Sequence, residues 1–230
     1  ANIGKTQSRG IEVTLNTRNI VTKDFFWETS LTYTKYKDRW KERTPDWKPN
    51  VYEKETDPIR AIYSRRADHI MQIGEEAPTA QPDLRPGQIV IKDLDGYVRD
   101  ENGNPKVDEN GRFMLLGRPD GIIDEADTEL IGTLDPGWMA SMTNTFKYKG
   151  FDLNIMFNGM FDRIMQDPTE MDFGVNGGGI AQSGYNMLRT IKDRWTFDNP
   201  STTRPSSYYI TGTNYTAGDF FYQKAWFIRL

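Results

Sequence analysis

The sequence has no cysteine, which excludes disulfides and thiolate metal sites. It has a single histidine, His69, so a zinc site would need carboxylates brought from elsewhere in the fold. No stretch approaches the roughly 20 apolar residues that a membrane helix requires. Hydrophobic residues make up 37% of the chain and the mean hydropathy is -0.71. A helical membrane protein is therefore excluded. A membrane β-barrel is not, because its strands are short and carry apolar residues only at alternate positions. Charge of one sign is not in excess: 29 Lys and Arg against 33 Asp and Glu leave a net charge of -4. That balance gives no reason to expect nucleic acid as a partner. The opening residues have no apolar core of signal-peptide length. The closing residues, Trp226-Phe227-Ile228-Arg229-Leu230, stop inside a strand-like pattern, so both ends read as cut.

What is present is alternation. In residues 10–18, Ile11, Val13, Leu15 and Thr17 share one face, and Glu12, Thr14 and Asn16 the other. A period of two is a strand signal. Residues 25–36 repeat it, with Phe25, Trp27, Thr29, Leu31 and Tyr33 opposite Glu28, Ser30, Thr32 and Thr34. In residues 138–148, Trp138, Ala140, Met142, Phe146 and Tyr148 share a face, with Asn144 as the exception. A tight turn at Lys149-Gly150 leads into residues 151–162, where Phe151, Leu153, Ile155, Phe157, Gly159 and Phe161 align. Residues 220–230 form a fifth strand with the poorest alternation, because Phe221 and Phe227 oppose Phe220, Tyr222, Trp226 and Ile228.

The connections run short, long, short, long, with long polar stretches at residues 37–136 and 163–218. Outer-membrane barrels have short periplasmic turns and long outer loops. The expected fold is all-β: part of a large antiparallel transmembrane barrel with long extracellular loops. Five strands cannot close a large barrel, so neighbouring strands must lie outside these residues. The aromatics suit that placement, since Trp and Tyr favour the headgroup level. Phe25, Phe26, Trp27, Tyr148 and Phe151 are expected at the inner girdle. Tyr33, Tyr36, Trp40, Trp138 and Phe161 are expected at the outer one. The competing reading is a surface or secreted carbohydrate-binding β-sandwich. Solvation separates the two: Ile11, Val13, Leu15, Phe151, Leu153 and Ile155 face lipid in a barrel wall, but would be buried between sheets in a sandwich.

Several segments together resemble the C-terminal barrel portion of SusC/RagA-type TonB-dependent outer-membrane receptors. They are Asn2 to Lys5, Arg9 to Asn16, Asp24 to Leu31, Pro86-Gly87-Gln88-Ile89, Asp93-Leu94-Asp95-Gly96, Asp120 to Asp127, and Ile131-Gly132 with Pro136. Further on come Asn144 to Leu153, Asp193-Arg194-Trp195-Thr196 with Asn199-Pro200 and Pro205, and Phe227 to Leu230. The charged part around residues 63–76 and the inserted-looking residues 100–116 depart from that pattern. The resemblance implies import of a large nutrient, glycan or peptide, across the outer membrane without breaking a bond. It also implies a SusD-like surface lipoprotein as lid, coupling to TonB through parts outside these residues, and a multi-pass position among outer-membrane lipids.

Two sets of side chains stand out as candidate sites. Asp93, Asp95, Asp120, Asp124 and Asp127 are closely spaced carboxylates beside glycines, a composition that suits calcium. It equally suits a solvated acidic turn. Trp40, Trp47, Tyr52, Tyr63, Trp195, Tyr208, Tyr209 and Tyr215 lie in the long loops beside amides and carboxylates, as sugar- or peptide-binding aromatics do. They could instead staple the loops together. Asp100 to Asn104 and Asp108 to Arg112 form a near-repeat of two Asx-Gly turns, which predicts a small hairpin. No catalytic set is expected: His69 has no serine or cysteine arrangement beside it, and Gly177-Gly178-Gly179 lacks the context of a phosphate loop. Apart from the calcium option, no cofactor is expected.

Overall fold

The computed structural model describes residues 4–109, 111–175, 184–207 and 217–230. Its main element is a five-stranded antiparallel sheet. The strands in chain order are β1 (Lys5–Val21), β2 (Phe25–Glu42), β3 (Ala61–Arg65), β4 (Ala67–Ile70), β5 (Ile89–Ile91), β6 (Thr128–Thr133), β7 (Trp138–Tyr148), β8 (Phe151–Phe161), β9 (Ile164–Gln166), β10 (Tyr222–Lys224) and β11 (Phe227–Arg229). The large sheet runs β1-β2-β7-β8-β11, and three two-stranded sheets, β10-β9, β3-β6 and β4-β5, lie in the long connections.

The first two strands are longer than alternation predicts. Lys5 pairs with Glu42 and Arg9 with Lys37, so the ladder continues through charged residues where no apolar period can show. The fifth strand is shorter than the expected 220–230 and is divided. Tyr222–Lys224 pairs with β9 in the loops, and only Phe227–Arg229 joins the large sheet, against Asn158 to Met160 of β8. The physical reason is Phe221, whose side chain is buried in the loop core and pulls the chain away from the sheet before Phe227.

The register puts one apolar face together. Val13 lies opposite Tyr33, Leu15 opposite Leu31, Leu31 opposite Met142 and Met142 opposite Phe157. Among the described residues nothing covers this face: Ile11 is 68% exposed, Leu153 54% and Phe151 79%. Val13 and Leu15 are also exposed, and Ile155 is half-buried. A sandwich would have buried these side chains, and each would gain about 1.5–3 kcal/mol by it. Their exposure in an extended sheet is what a lipid-facing wall requires. The opposite face is polar. Thr32 and Ser141 share a hydrogen bond, and Thr145 donates to Asn154 Oδ1 at 2.8 Å.

Aromatics ring both ends of the apolar face. At one end Phe25 meets Tyr148 and Trp27 stacks on Phe146 at 5.7 Å. At the other Tyr33 meets Trp138, which stacks on Phe161 at 3.9 Å, and Trp226 follows. The register corrects three of the expected girdle residues. Phe26, Tyr36 and Trp40 fall on the even-numbered, polar face of β2, because one residue along a strand reverses the side. The side-chain oxygen of Asn144, the polar exception on the apolar face, is satisfied there. This Oδ1 accepts from Trp27 Nε1 at 3.0 Å and from Thr29 Oγ1 at 2.7 Å. In hydrocarbon an unpaired amide would cost several kcal/mol.

The buried core is not in this sheet. It lies in the loops over one end, where Ile89, Ile91, Val175 and Phe221 form one cluster and Met71, Leu84 and Val90 another. Residues from both long connections meet in the first cluster, so the two loops form a single cap. Arg66 strengthens the union by bonding both Glu129 and Asp219, and Asp219 Oδ1 also accepts from Ala67 N at 2.8 Å.

Candidate functional site

Between the two loops lies a cleft of about 540 Å³ lined by Tyr52, Tyr63, Arg65, Glu125, Gln166 and Tyr222, among others. The β3-β6 pair carries Tyr63 and Arg65 to it from the first loop, and the β9-β10 pair carries Gln166 and Tyr222 from the second. Tyr52 and Tyr63 pack at 5.1 Å between ring centres. The Tyr63 hydroxyl donates to Asp57 Oδ2 at 2.7 Å. Burial first, and then the Asp57 carboxylate, push the Tyr63 hydroxyl well above its ordinary range. Burial, and then the Glu125 charge, raise the Tyr52 hydroxyl as well. Both rings therefore stay neutral and present apolar area beside a cation, a carboxylate and an amide. Such a mixture binds oligomers that are partly apolar and partly hydrogen-bonding.

Of the loop aromatics picked from sequence, Tyr52 and Tyr63 reach this cleft. Trp40 and Trp47 instead clasp Arg43, whose guanidinium carbon lies 4.9 and 4.3 Å from their ring centres. Trp195 is 4% exposed. It presses on Gly87, where an added Cβ would lie 2.5 Å from the indole, and its Nε1 donates to Gln72 at 3.4 Å. Trp195 is a staple between the loops, with no open face for a ligand. Tyr208, Tyr209 and Tyr215 lie outside the described residues, as do Gly177, Gly178 and Gly179. Gln166 and Tyr222 escaped sequence reasoning, because each stands in a three-residue strand whose partner is more than fifty positions away.

The five aspartates do come near one another, and their oxygens accept from the backbone. Asp93 accepts from Gly121 N at 2.7 Å and Asp95 from Gly117 N at 2.7 Å. Asp127, fully buried, accepts from Leu94 N and Asp95 N on one oxygen and Asp124 N on the other. Burial pushes its carboxyl up, against the pull of these donors. Asp124 Oδ1 caps the turn Glu125–Asp127, while its Oδ2 lies 3.4 Å from the Arg99 guanidinium, which also approaches Asp120. Among the described residues no group of three or more acidic or histidine side chains is gathered as a metal-holding set. The near-repeat forms a small meander through bridges Tyr97↔Leu115, Arg99↔Pro105 and Val107↔Phe113. Its Asx turns close on Asp100 and Asp108. The meander is what delivers Arg99 to the aspartates. His69 is exposed, between Asp68 at 2.9 Å and Glu75 at 3.0 Å.

No protein-family model matches the chain. Sequence relatives do. The TonB-dependent receptor P3 of Formosa agariphila is 24% identical over 221 residues, 89% of this chain and 19% of that protein. The TonB-dependent receptor P26 of the same organism is 25% identical over 219 residues, 92% of this chain and 20% of that protein. The chain thus spans about a fifth of these curated relatives. Its fold matches the RagAB peptide transporter with a TM-score of 0.64 at 18% identity, over 100% of this chain and 22% of that one. In the "open-open" state of the RagAB peptide importer the TM-score is 0.57 at 17% identity, over 99% and 22%. The chain is similar in sequence to TonB-dependent receptors and in fold to a segment of the RagAB transporter. In such a receptor segment the large sheet is barrel wall and the two loops lie over one of its ends. The relatives are receptors and transporters, not enzymes.

Proposed function

We propose that this receptor segment forms part of the wall and outer mouth of an importer that carries a large nutrient, peptide or glycan, across the outer membrane. The observation that carries the reading is the inversion of apolar surface. The sheet turns Ile11, Val13, Leu15 and Phe151 outward, while the loops bury their own core at one end. That division needs hydrocarbon around the strands and water around the loops. The cleft of Tyr52, Tyr63, Arg65, Glu125, Gln166 and Tyr222 would contact cargo at the mouth. A SusD-like lipoprotein would close over the loops, and TonB would act through parts of the receptor outside this segment. The peptide cargo in the names of the RagAB structures supports the peptide option.

The test is uptake by cells carrying the full-length receptor, using labelled oligopeptide and oligosaccharide mixtures. Accumulation of one mixture that stops when TonB or the SusD-like partner is deleted is the expected result. Replacing Tyr52 and Tyr63 by Ala should lower the uptake of that mixture while the receptor remains in the membrane. Accumulation that persists without TonB would overturn the import reading.

A further inference from the structure

A second cavity, of about 930 Å³, lies where β2 overhangs the start of β7. Five basic residues line it, Lys35, Lys37, Arg39, Arg163 and Lys224, against three acidic ones, Asp38, Asp135 and Asp162. Asp135 is already paired with Arg60 at 3.2 Å. Lys35, Lys37 and Arg39 continue the odd-numbered register of Leu31 and Tyr33, so they leave the same outward face as the apolar wall. Lys35 and Lys37 are exposed and form no ion pair within the described residues. The floor of this cavity is the Trp138–Phe161 stack with Trp226. Directly below, the same Trp138 and Phe161 border an apolar groove of about 490 Å³ along Leu31, Tyr33, Ala140, Met142, Phe157 and Gly159. The groove is deepest at Ala140 and Gly159 because their side chains are small.

The two hollows thus share the aromatic girdle, one cationic above it and one apolar beneath. We propose that they form a single site for a phosphorylated lipid of the outer leaflet, resting on the barrel-wall reading. The phosphate would sit among Lys35, Lys37 and Arg39, whose charges lie at headgroup level. An acyl chain would run down the groove past Ala140 and Gly159. Asp38, even-numbered, leaves the opposite face of β2, so the three cations on the odd face meet the phosphate without a carboxylate of their own strand beside them. A lipid held here would brace the wall directly below the loop cap, at the point where β2 gives way to the first long connection.

The experiment is native mass spectrometry of the full-length receptor released from phosphatidylcholine nanodiscs. The discs contain monophosphoryl lipid A, its dephosphorylated counterpart, or neither with free inorganic phosphate. The wild type should retain the phosphorylated lipid. The triple change K35Q/K37Q/R39Q should cut retention roughly tenfold or more. Ala140→Leu, which fills the groove without touching a charge, should weaken it as well. Arg18→Gln, at the far end of the wall, should leave it unchanged. Equal retention of the dephosphorylated lipid, full competition by inorganic phosphate, or equal loss in Arg18→Gln would each overturn the site. Heat-modifiable migration of the same samples reports the barrel separately. Its absence overturns the wall reading and the site with it, whereas its presence with unchanged retention overturns the site alone.

Discussion

The wall and the cap use the same apolar residue types toward opposite ends. Ile11, Leu15 and Leu153 stand exposed on the sheet, while Ile70, Ile89 and Leu84 are buried in the loops. The wall is stabilised by backbone ladders between long neighbouring strands, with its side chains turned to the surrounding phase. The cap is stabilised as a water-soluble domain is, by side chains brought together from distant positions, such as Ile91 with Val175 and Phe221. The lesson is that burial within the chain measures only half of this fold. On the barrel-wall reading lipid completes the wall, so an exposed Phe151 is no defect, whereas an exposed Trp195 would be one.

The sharpest way to break the comparison is to damage the cap alone. Trp195→Ala removes the largest staple between the loops and should cost the cap about 3–5 kcal/mol, as large core truncations do. Hydrogen exchange should speed up at Ile89, Val90 and Ile91 and at residues around 204–206, while the ladder β1-β2 keeps its protection. Gly87→Val should do similar harm, since Gly87 has φ of 89° and lies against the same indole. Equal loss of protection in the sheet would show that wall and cap unfold as one unit. The converse damage is Val13→Arg, which places a charge on the lipid face and should cost about 2–4 kcal/mol near the bilayer midplane. Denaturant titration of the full-length receptor in bilayers measures it. Glu12→Arg, one residue away on the polar face, should change far less.

How legible each region was follows from the range of its interactions. The wall was read almost entirely from alternation, because a strand's two faces are written in adjacent residues and both hairpins were local. It fell short only where charge hid the period, at Lys5 to Arg9 and Lys37 to Glu42, and where a single step reversed the side, at Phe26, Tyr36 and Trp40. The cap was legible only as loops. Nothing near Trp195 announces Gly87, and nothing near Gln166 announces Tyr222. The aspartates were recognised as a group, but their partners are backbone N–H groups and Arg99, whose approach depends on a meander that folds back across some twenty residues. The cleft therefore needed the long-range pairings before its residues could be assembled.

An intermediate effect tests whether the aspartates hold the cap from within. Asp127→Ala would strand the amides of Leu94, Asp95 and Asp124, and a buried unsatisfied donor costs about 1–3 kcal/mol. Exchange should rise at those three amides first. Asp127→Asn keeps one acceptor oxygen and should lie between the alanine variant and the wild type. If both variants exchange like the wild type, the cap does not depend on this carboxylate.

The smallest expected effect concerns pH and separates the cap's surface from its core. His69 is exposed beside Asp68 and Glu75, and its pKa is raised: the hydrogen bond to Asp68 is the largest cause, burial opposes it, and the hydrogen bond to Glu75 then adds to the rise. A raised folded pKa means that the pairing contributes its full stability below the ordinary histidine value of about 6.5. The contribution is then lost as pH rises through the higher folded value. Because the group is exposed, the contribution from Asp68 should stay within about 1 kcal/mol. Lys92, 3.2 Å from Asp68, competes for the same carboxylate and limits it further. Protease cleavage of the cap should therefore speed up slightly as pH rises from about 6 to about 8, and this change should vanish in His69→Gln. The wall, whose protection involves no histidine, should show no such step. A pH step of the same size in His69→Gln would place its origin elsewhere in the cap.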